Sequence, residues 1–146
     1  METMPFDVAE TARVLRRAFD RRAAALGVTR AQWRVLVWLS RADGARQVVL
    51  ADGLDVEPIT LCRMVDRLED AGLVERRRDS ADRRAWNIFL TAKAKPLIRQ
   101  LQVLGEAFSD DMLAGISERE RDLVQSVLAR IRSNLEGDGQ TARKAS

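Results

Sequence analysis

Residues 57–91 read EPITLCRMVDRLEDAGLVERRRDSADRRAWNIFLT, and this stretch decides the fold. It predicts a helix over residues 58–71. Pro58 suits the first helical position, where its missing N–H has no intrahelical partner to lose. Gly72 stops the helix, because glycine accepts the left-handed geometry of a C-terminal cap. Two strands follow, over 73–78 and 85–90, and the polar run Asp79-Ser80-Ala81-Asp82-Arg83-Arg84 turns the chain between them. At 100° per residue, Leu61, Met64, Val65 and Leu68 share one face of the helix. Ile59, Arg63, Asp66 and Asp70 lie opposite, flanked by Thr60, Cys62 and Arg67.

The outward face is basic and polar at its start, as in a helix that offers its N-terminal residues to DNA base edges. An ordinary solvated surface helix has the same pattern. The hairpin separates the two readings. Residues 73–84 hold Arg76, Arg77, Arg78, Arg83 and Arg84 against Glu75, Asp79 and Asp82, a net of +2. A helix with exposed Arg and Thr leading straight into an arginine-tipped hairpin describes a winged helix-turn-helix. The helix then enters the major groove and the wing lies at the minor groove.

Residues 50–95, LADGLDVEPITLCRMVDRLEDAGLVERRRDSADRRAWNIFLTAKAK, resemble the core of the MarR family of bacterial transcriptional regulators. VDRLEDAGLVERR, then DSADRR, then the strand closing on Leu-Thr carry most of the resemblance, which extends over the flanking helices. Where the family often has a glycine after Leu-Thr, this chain has Ala94 and then Pro96. Asp55 replaces the turn glycine common in helix-turn-helix motifs, and aspartate tolerates left-handed geometry better than most residues. The resemblance implies a homodimer whose helices interleave. It also implies that Arg84 is the wing-tip arginine of the minor groove and Asp82 the acid that orients it. A small-molecule pocket between the DNA lobe and the dimer helices, taking an aromatic or anionic inducer, is implied too. Trp33 and Arg34 are candidates for its border, against the alternative that they are core.

The fold class expected is therefore mainly α with a small β-hairpin wing. Residues 30–91 form the winged helix-turn-helix lobe, 5–28 and 92–136 dimerisation helices, and 137–146 a frayed tail. Thr29 and Gln32 have the spacing of a capping box and start a helix over about 30–42, rich in Trp33, Val35, Leu36, Val37, Trp38 and Leu39. A short third helix covers 46–53. Leu97, Leu101, Leu104, Phe108 and Met112 form a stripe on a long helix. After Gly115, a second capping box, Ser117 to Glu120, opens a last helix bearing Leu123, Val124, Val127, Leu128, Ile131 and Leu135. The first helix, 5–26, has a stripe of Phe6, Leu15, Ala18, Phe19 and Leu26. A winged helix is complete without the terminal helices, so their stripes need burial on the same lobe or on a second chain. Two identical heads suit a palindromic site.

Composition narrows the alternatives. Among 146 residues, 46% are hydrophobic, enough for a core, and 32% are charged, with a formal net charge of +3. That net charge alone does not identify a nucleic-acid binder; the clustering of arginines does. With no histidine and one cysteine, the chain has no intrachain disulfide, histidine catalysis or multi-cysteine metal site. No catalytic residue, metal or cofactor is expected. The N-terminus lacks the apolar core of a signal peptide and no run approaches a membrane span, so a cytoplasmic location is expected.

The DNA-binding residues expected are Ile59, Thr60, Cys62, Arg63, Arg67, Arg77, Asp82, Arg83 and Arg84. Arg63 and Thr60 read bases, and Arg77 and Arg83 meet phosphates. Cys62 is a small DNA-facing or half-buried residue. The function expected is a dimeric, ligand-responsive repressor on a palindromic operator. A winged helix that binds protein instead of DNA is the alternative.

Overall fold

The protein is described by a computed structural model that covers residues 3–144, with side chains to Gly137. Six helices and three short strands follow in order. They are α1 (Met4–Ala24), α2 (Arg30–Arg41), β1 (Ala45–Arg46), α3 (Gln47–Gly53), α4 (Pro58–Asp70), β2 (Val74–Arg78), β3 (Trp86–Leu90), α5 (Ala94–Met112) and α6 (Glu118–Lys144). The chain divides into two compact units, one ending at Phe108 and the other beginning at Ser109.

In the first unit, α2, α3 and α4 close over one core. Val35, Leu36 and Leu39 of α2, Leu50 of α3, and Leu61, Val65 and Leu68 of α4 are fully or almost fully excluded from solvent. Val74, Ile88, Ala94, Ile98 and Leu101 join them from the wing and α5. The apolar stripe read for α4 is thus the buried one, with Met64 partly covered at its edge. The capping box that starts α2 is formed in both directions. Gln32 N–H donates to Thr29 Oγ1 at 3.2 Å and Thr29 N–H to Gln32 Oε1 at 3.0 Å. Asp55 takes φ +53°, the left-handed conformation expected of it in the turn between α3 and α4.

α4 ends in a Schellman motif. Gly72 sits at φ +74°, its N–H donates to Glu69 O at 2.9 Å, and Leu73 N–H donates to Leu68 O at 2.9 Å. The chain reverses and enters β2 directly. β3 is the central strand of a three-stranded antiparallel sheet in the order β1-β3-β2. Its register pairs Val74 with Leu90 and Arg78 with Trp86 on one side, and Ala45 with Ile88 on the other. Thr91 seals the base of the wing, since its N–H donates to Leu73 O at 3.1 Å and its hydroxyl to Gly72 O at 2.6 Å.

Several expectations are corrected. β1 was not anticipated, because two residues carry no periodicity. It forms because β3 offers it a partner and the turn is tied down: Gly44 N–H donates to Ile88 O at 2.9 Å and Leu90 N–H to Asp43 Oδ1 at 2.8 Å. Arg46 consequently caps α3 from a strand instead of lying within the helix. α1 stops at Ala24, and Leu26 belongs to the turn that follows, where Gly27 has φ +75°. Of the α1 stripe only Phe19 is buried, while Phe6 and Leu15 stand exposed.

In the second unit the end of α5 turns at Gly115, φ +78°, into α6. The expected capping box is present: Ser117 N–H donates to Glu120 Oε2 at 2.8 Å and Glu120 N–H to Ser117 Oγ at 3.2 Å. Arg121 ties the turn further, donating to Ile116 O at 3.0 Å and Leu113 O at 3.1 Å. The backbone of α6 stays helical to Lys144, past Gly137 where a frayed tail was expected. Ala145 and Ser146, the end of that expected tail, lie outside the described residues. No helix among the described residues is long and apolar enough to cross a membrane.

Candidate nucleic-acid interface

α4 and the hairpin are joined through β2, where Arg76 binds Cys62, Asp66 and Glu69 of α4. Burial of Leu61, Val65 and Leu68 turns Ile59, Thr60, Arg63 and Arg67 outward, all of them exposed. Ile59 is 65% exposed, an apolar side chain presented to solvent beside Arg63. Such a pairing suits a groove floor that carries both hydrogen-bonding edges and thymine methyl groups. Cys62, on the flank, is half-buried. Its Sγ lies 3.6 Å from a terminal nitrogen of Arg76.

The five wing arginines divide by environment, which the sequence did not reveal. Arg76 points inward, its side chain only 13% exposed. It reaches Asp66 at 2.7 Å and Glu69 at 3.2 Å, both on α4. It also donates to Cys62 O at 2.9 Å and to Gln47 Oε1 of α3 at 3.1 Å. Burial alone acts to lower its pKa; the hydrogen bond to Asp66 and the charges of Asp66 and Glu69 outweigh this and raise it. Arg77 pairs with Glu75 and lies over the Phe89 ring, 4.3 Å from its centroid. Arg78 stacks on Trp86 at 4.1 Å and donates to Arg83 O at 2.5 Å. The guanidinium groups of Arg83 and Arg84 at the tip, and of Arg63 and Arg67 on α4, have no hydrogen bond or ion pair among the described residues. Of the two arginines read as phosphate contacts, Arg83 is therefore uncommitted, whereas Arg77 is already engaged by its own hairpin.

The tip is shaped by Asp79, whose role was also missed. Its Oδ1 accepts from Ala81 N–H at 2.8 Å and Asp82 N–H at 3.1 Å, and its Oδ2 from Asn87 Nδ2 at 3.1 Å. Arg46 approaches it at 3.4 Å. The two backbone donors and Asn87 hold the Asp79 carboxyl below the usual aspartate range. Asp-Ser after a strand was a visible turn signal, and the Asp79–Asn87 pairing could have been guessed from the hairpin register. Asp82 Oδ1 accepts from the backbone N–H of Arg84 at 3.0 Å. The acid thus fixes the main chain at Arg84, not its guanidinium.

Trp33 and Arg34 line an open concavity of about 420 Å³ together with Val37, Trp38, Arg41 and Leu54. Both border residues also have structural partners. Trp33 donates from its indole to Asp20 Oδ1 at 2.8 Å and meets Phe19 edge-on, and Arg34 donates to Leu54 O at 2.5 Å. Both residues are half-buried at the edge of the concavity.

The model of the MarR family matches residues 28–86, which span α2 to the start of β3. The chain is 42% identical to the transcriptional regulator PA3341, with a TM-score of 0.85 over 92% of this chain and 98% of that one. A MarR-family regulator from Silicibacter pomeroyi is 29% identical, with a TM-score of 0.78 over 90% of this chain and 88% of that one. A protein from Listeria monocytogenes, described as a putative MarR family regulator complexed with 26mer DNA, shares the fold at 23% identity. Its TM-score is 0.84 over 99% of this chain and 96% of that one.

Proposed function

The chain belongs to the MarR family of transcriptional regulators, and we propose that it is a homodimeric repressor that binds a palindromic operator. Each protomer lays α4 in the major groove, where Arg63 and Thr60 contact base edges, and sets the wing tip with Arg84 at the minor groove. Arg83 and Arg67 meet phosphates, and Ile59 and Cys62 line the base-facing surface. The observation that carries this reading is the set of exposed, uncommitted guanidinium groups on two adjoining elements: Arg63 and Arg67 on α4, Arg83 and Arg84 on the wing. Arginines without internal partners are free to exchange hydration for phosphate and base contacts. The Listeria protein that shares this fold is described as complexed with 26mer DNA, which supports the same use here.

Regulation follows from the concavity at Trp33 and Arg34. A planar anionic aromatic would stack on Trp33 or Trp38 and pair with Arg34 or Arg41. Binding that favours one spacing of the two heads would shift the population away from the operator-competent state. The test is selection of bound fragments from genomic DNA by the purified protein, followed by titration of a selected duplex. A shared inverted repeat among the fragments is expected. A winged helix that binds protein instead would select no sequence.

A further inference from the structure

Arg76 stands apart from its neighbours in the run Arg76-Arg77-Arg78. Arg77 and Arg78 lie against the hairpin's own surface and are exposed, whereas Arg76 is enclosed. Its guanidinium has acceptors on two other elements: Gln47 on α3, and the Cys62 carbonyl, Asp66 and Glu69 on α4. Glu69 grips it twice, because Glu69 Oε2 also accepts from the Arg76 backbone N–H at 3.0 Å. On the strand side, Arg76 pairs across the sheet with Ile88, which is wholly buried. A set of bonds therefore runs from β2 to α3 and to the middle of α4, where Cys62 is one residue from Arg63. The planar fork of arginine can meet several acceptors at fixed angles, which the single ammonium of lysine cannot.

Two consequences follow from this placement. The helix and the wing are joined through one side chain, Arg76. Asp66 and Glu69, which would otherwise repel phosphate from the flank of α4, are each paired with Arg76 at the surface.

We propose that Arg76 is a positioning residue that locks α4 to the wing, so that Arg63 and Arg84 engage DNA as one rigid reader instead of independently. The proposal rests on the DNA-binding reading above. It differs from any direct role for Arg76 on DNA, since each of its three guanidinium nitrogens already has an acceptor.

The experiment compares Arg76→Gln and Arg76→Lys, each alone and combined with Arg84→Ala. One readout is affinity for the selected operator; the other is amide hydrogen exchange of β2, β3 and α4 in the DNA-free protein. Coupling predicts that Arg84→Ala costs roughly tenfold or more in affinity with Arg76 intact. It predicts less than about threefold in either Arg76 variant, because interacting sites are not additive. Exchange at the wing amides should rise about tenfold while α2 keeps its protection. Arg76→Lys preserves the charge, so it separates positioning from neutralisation: it should behave like Arg76→Gln. It also carries the comparison if Arg76→Gln fails to fold. The proposal is overturned if the wing exchanges as in the parent, if Arg84→Ala costs the same fold-change in every background, or if Arg76→Lys matches the parent in both readouts. Should the parent protein select no DNA, the DNA-binding reading fails by itself, and the exchange comparison still decides whether Arg76 locks the helix to the wing.

Discussion

In the proposed complex, Arg63 and Arg84 would present the same guanidinium to two different features of DNA. Arg63 projects from the first half of α4, where a side chain can place two donors against a guanine edge. Arg63→Ala should cost ~1–3 kcal/mol on the operator and relax preference at one position in each half-site. Fluorescence anisotropy on a set of single-position variants of the duplex measures both. Arg84 sits on a tip whose backbone is pinned by Asp82, so Arg84→Ala should instead lose preference for A·T pairs flanking the half-sites. Asp82→Ala should give a weaker copy of that effect, since it frees the main chain and leaves the guanidinium in place. Asp79 sets a pH limit on the same tip. Its carboxyl titrates below the ordinary value of about 3.9, so the order it imparts is complete above that value and is lost as pH falls through its lower folded pKa. A carboxyl-carbon NMR titration should find Asp79 ionised throughout the range above pH ~4, with the Ala81 and Asp82 amide shifts moving only below it. A titration of Asp79 at or above the ordinary value would contradict the bonds assigned to it.

At the scale of elements, what was legible in the sequence is what is local. Gly72, the two capping boxes, Asp55 and the stripe of Leu61, Val65 and Leu68 each act within a few residues, and each is found as read. The hairpin was legible from the polar turn between its two strands. β1, the inward turn of Arg76 and the claim of Phe89 on Arg77 depend on residues far along the chain, and no local pattern encodes them. The packing of α3 on α2 belongs with these. A Cβ at Gly53 would come within 2.0 Å of the Trp38 ring. Gly53→Ala should therefore destabilise the lobe by about 1–3 kcal/mol through overpacking, despite the gain in helix propensity that alanine brings elsewhere. Chemical denaturation reads the effect directly; an unchanged or higher midpoint would contradict the contact.

At the scale of the whole molecule, the sequence named the stripes but not what covers them. Leu123 and Leu135 of α6 are 63% and 66% exposed, and Phe6 and Val14 of α1 stand out likewise. Apolar surface on this scale is the mark of an interaction face, and a second copy of the chain would satisfy it with two-fold symmetry matched to an inverted repeat. Removing the chain from Gly115 onward should release monomers, with light scattering as the check; an undiminished dimer, or a monomeric full-length protein, would contradict the assignment of α6. Recognition of sequence by a symmetric pair of α4-and-wing readers can be measured by titrating a selected duplex against a scrambled duplex of equal length and composition, across a salt series. Affinity for both should fall with salt as phosphate contacts are screened, while the selected duplex, with half-sites about 10 base pairs apart, stays preferred throughout. Equal affinity for the two duplexes at every salt concentration would contradict the account.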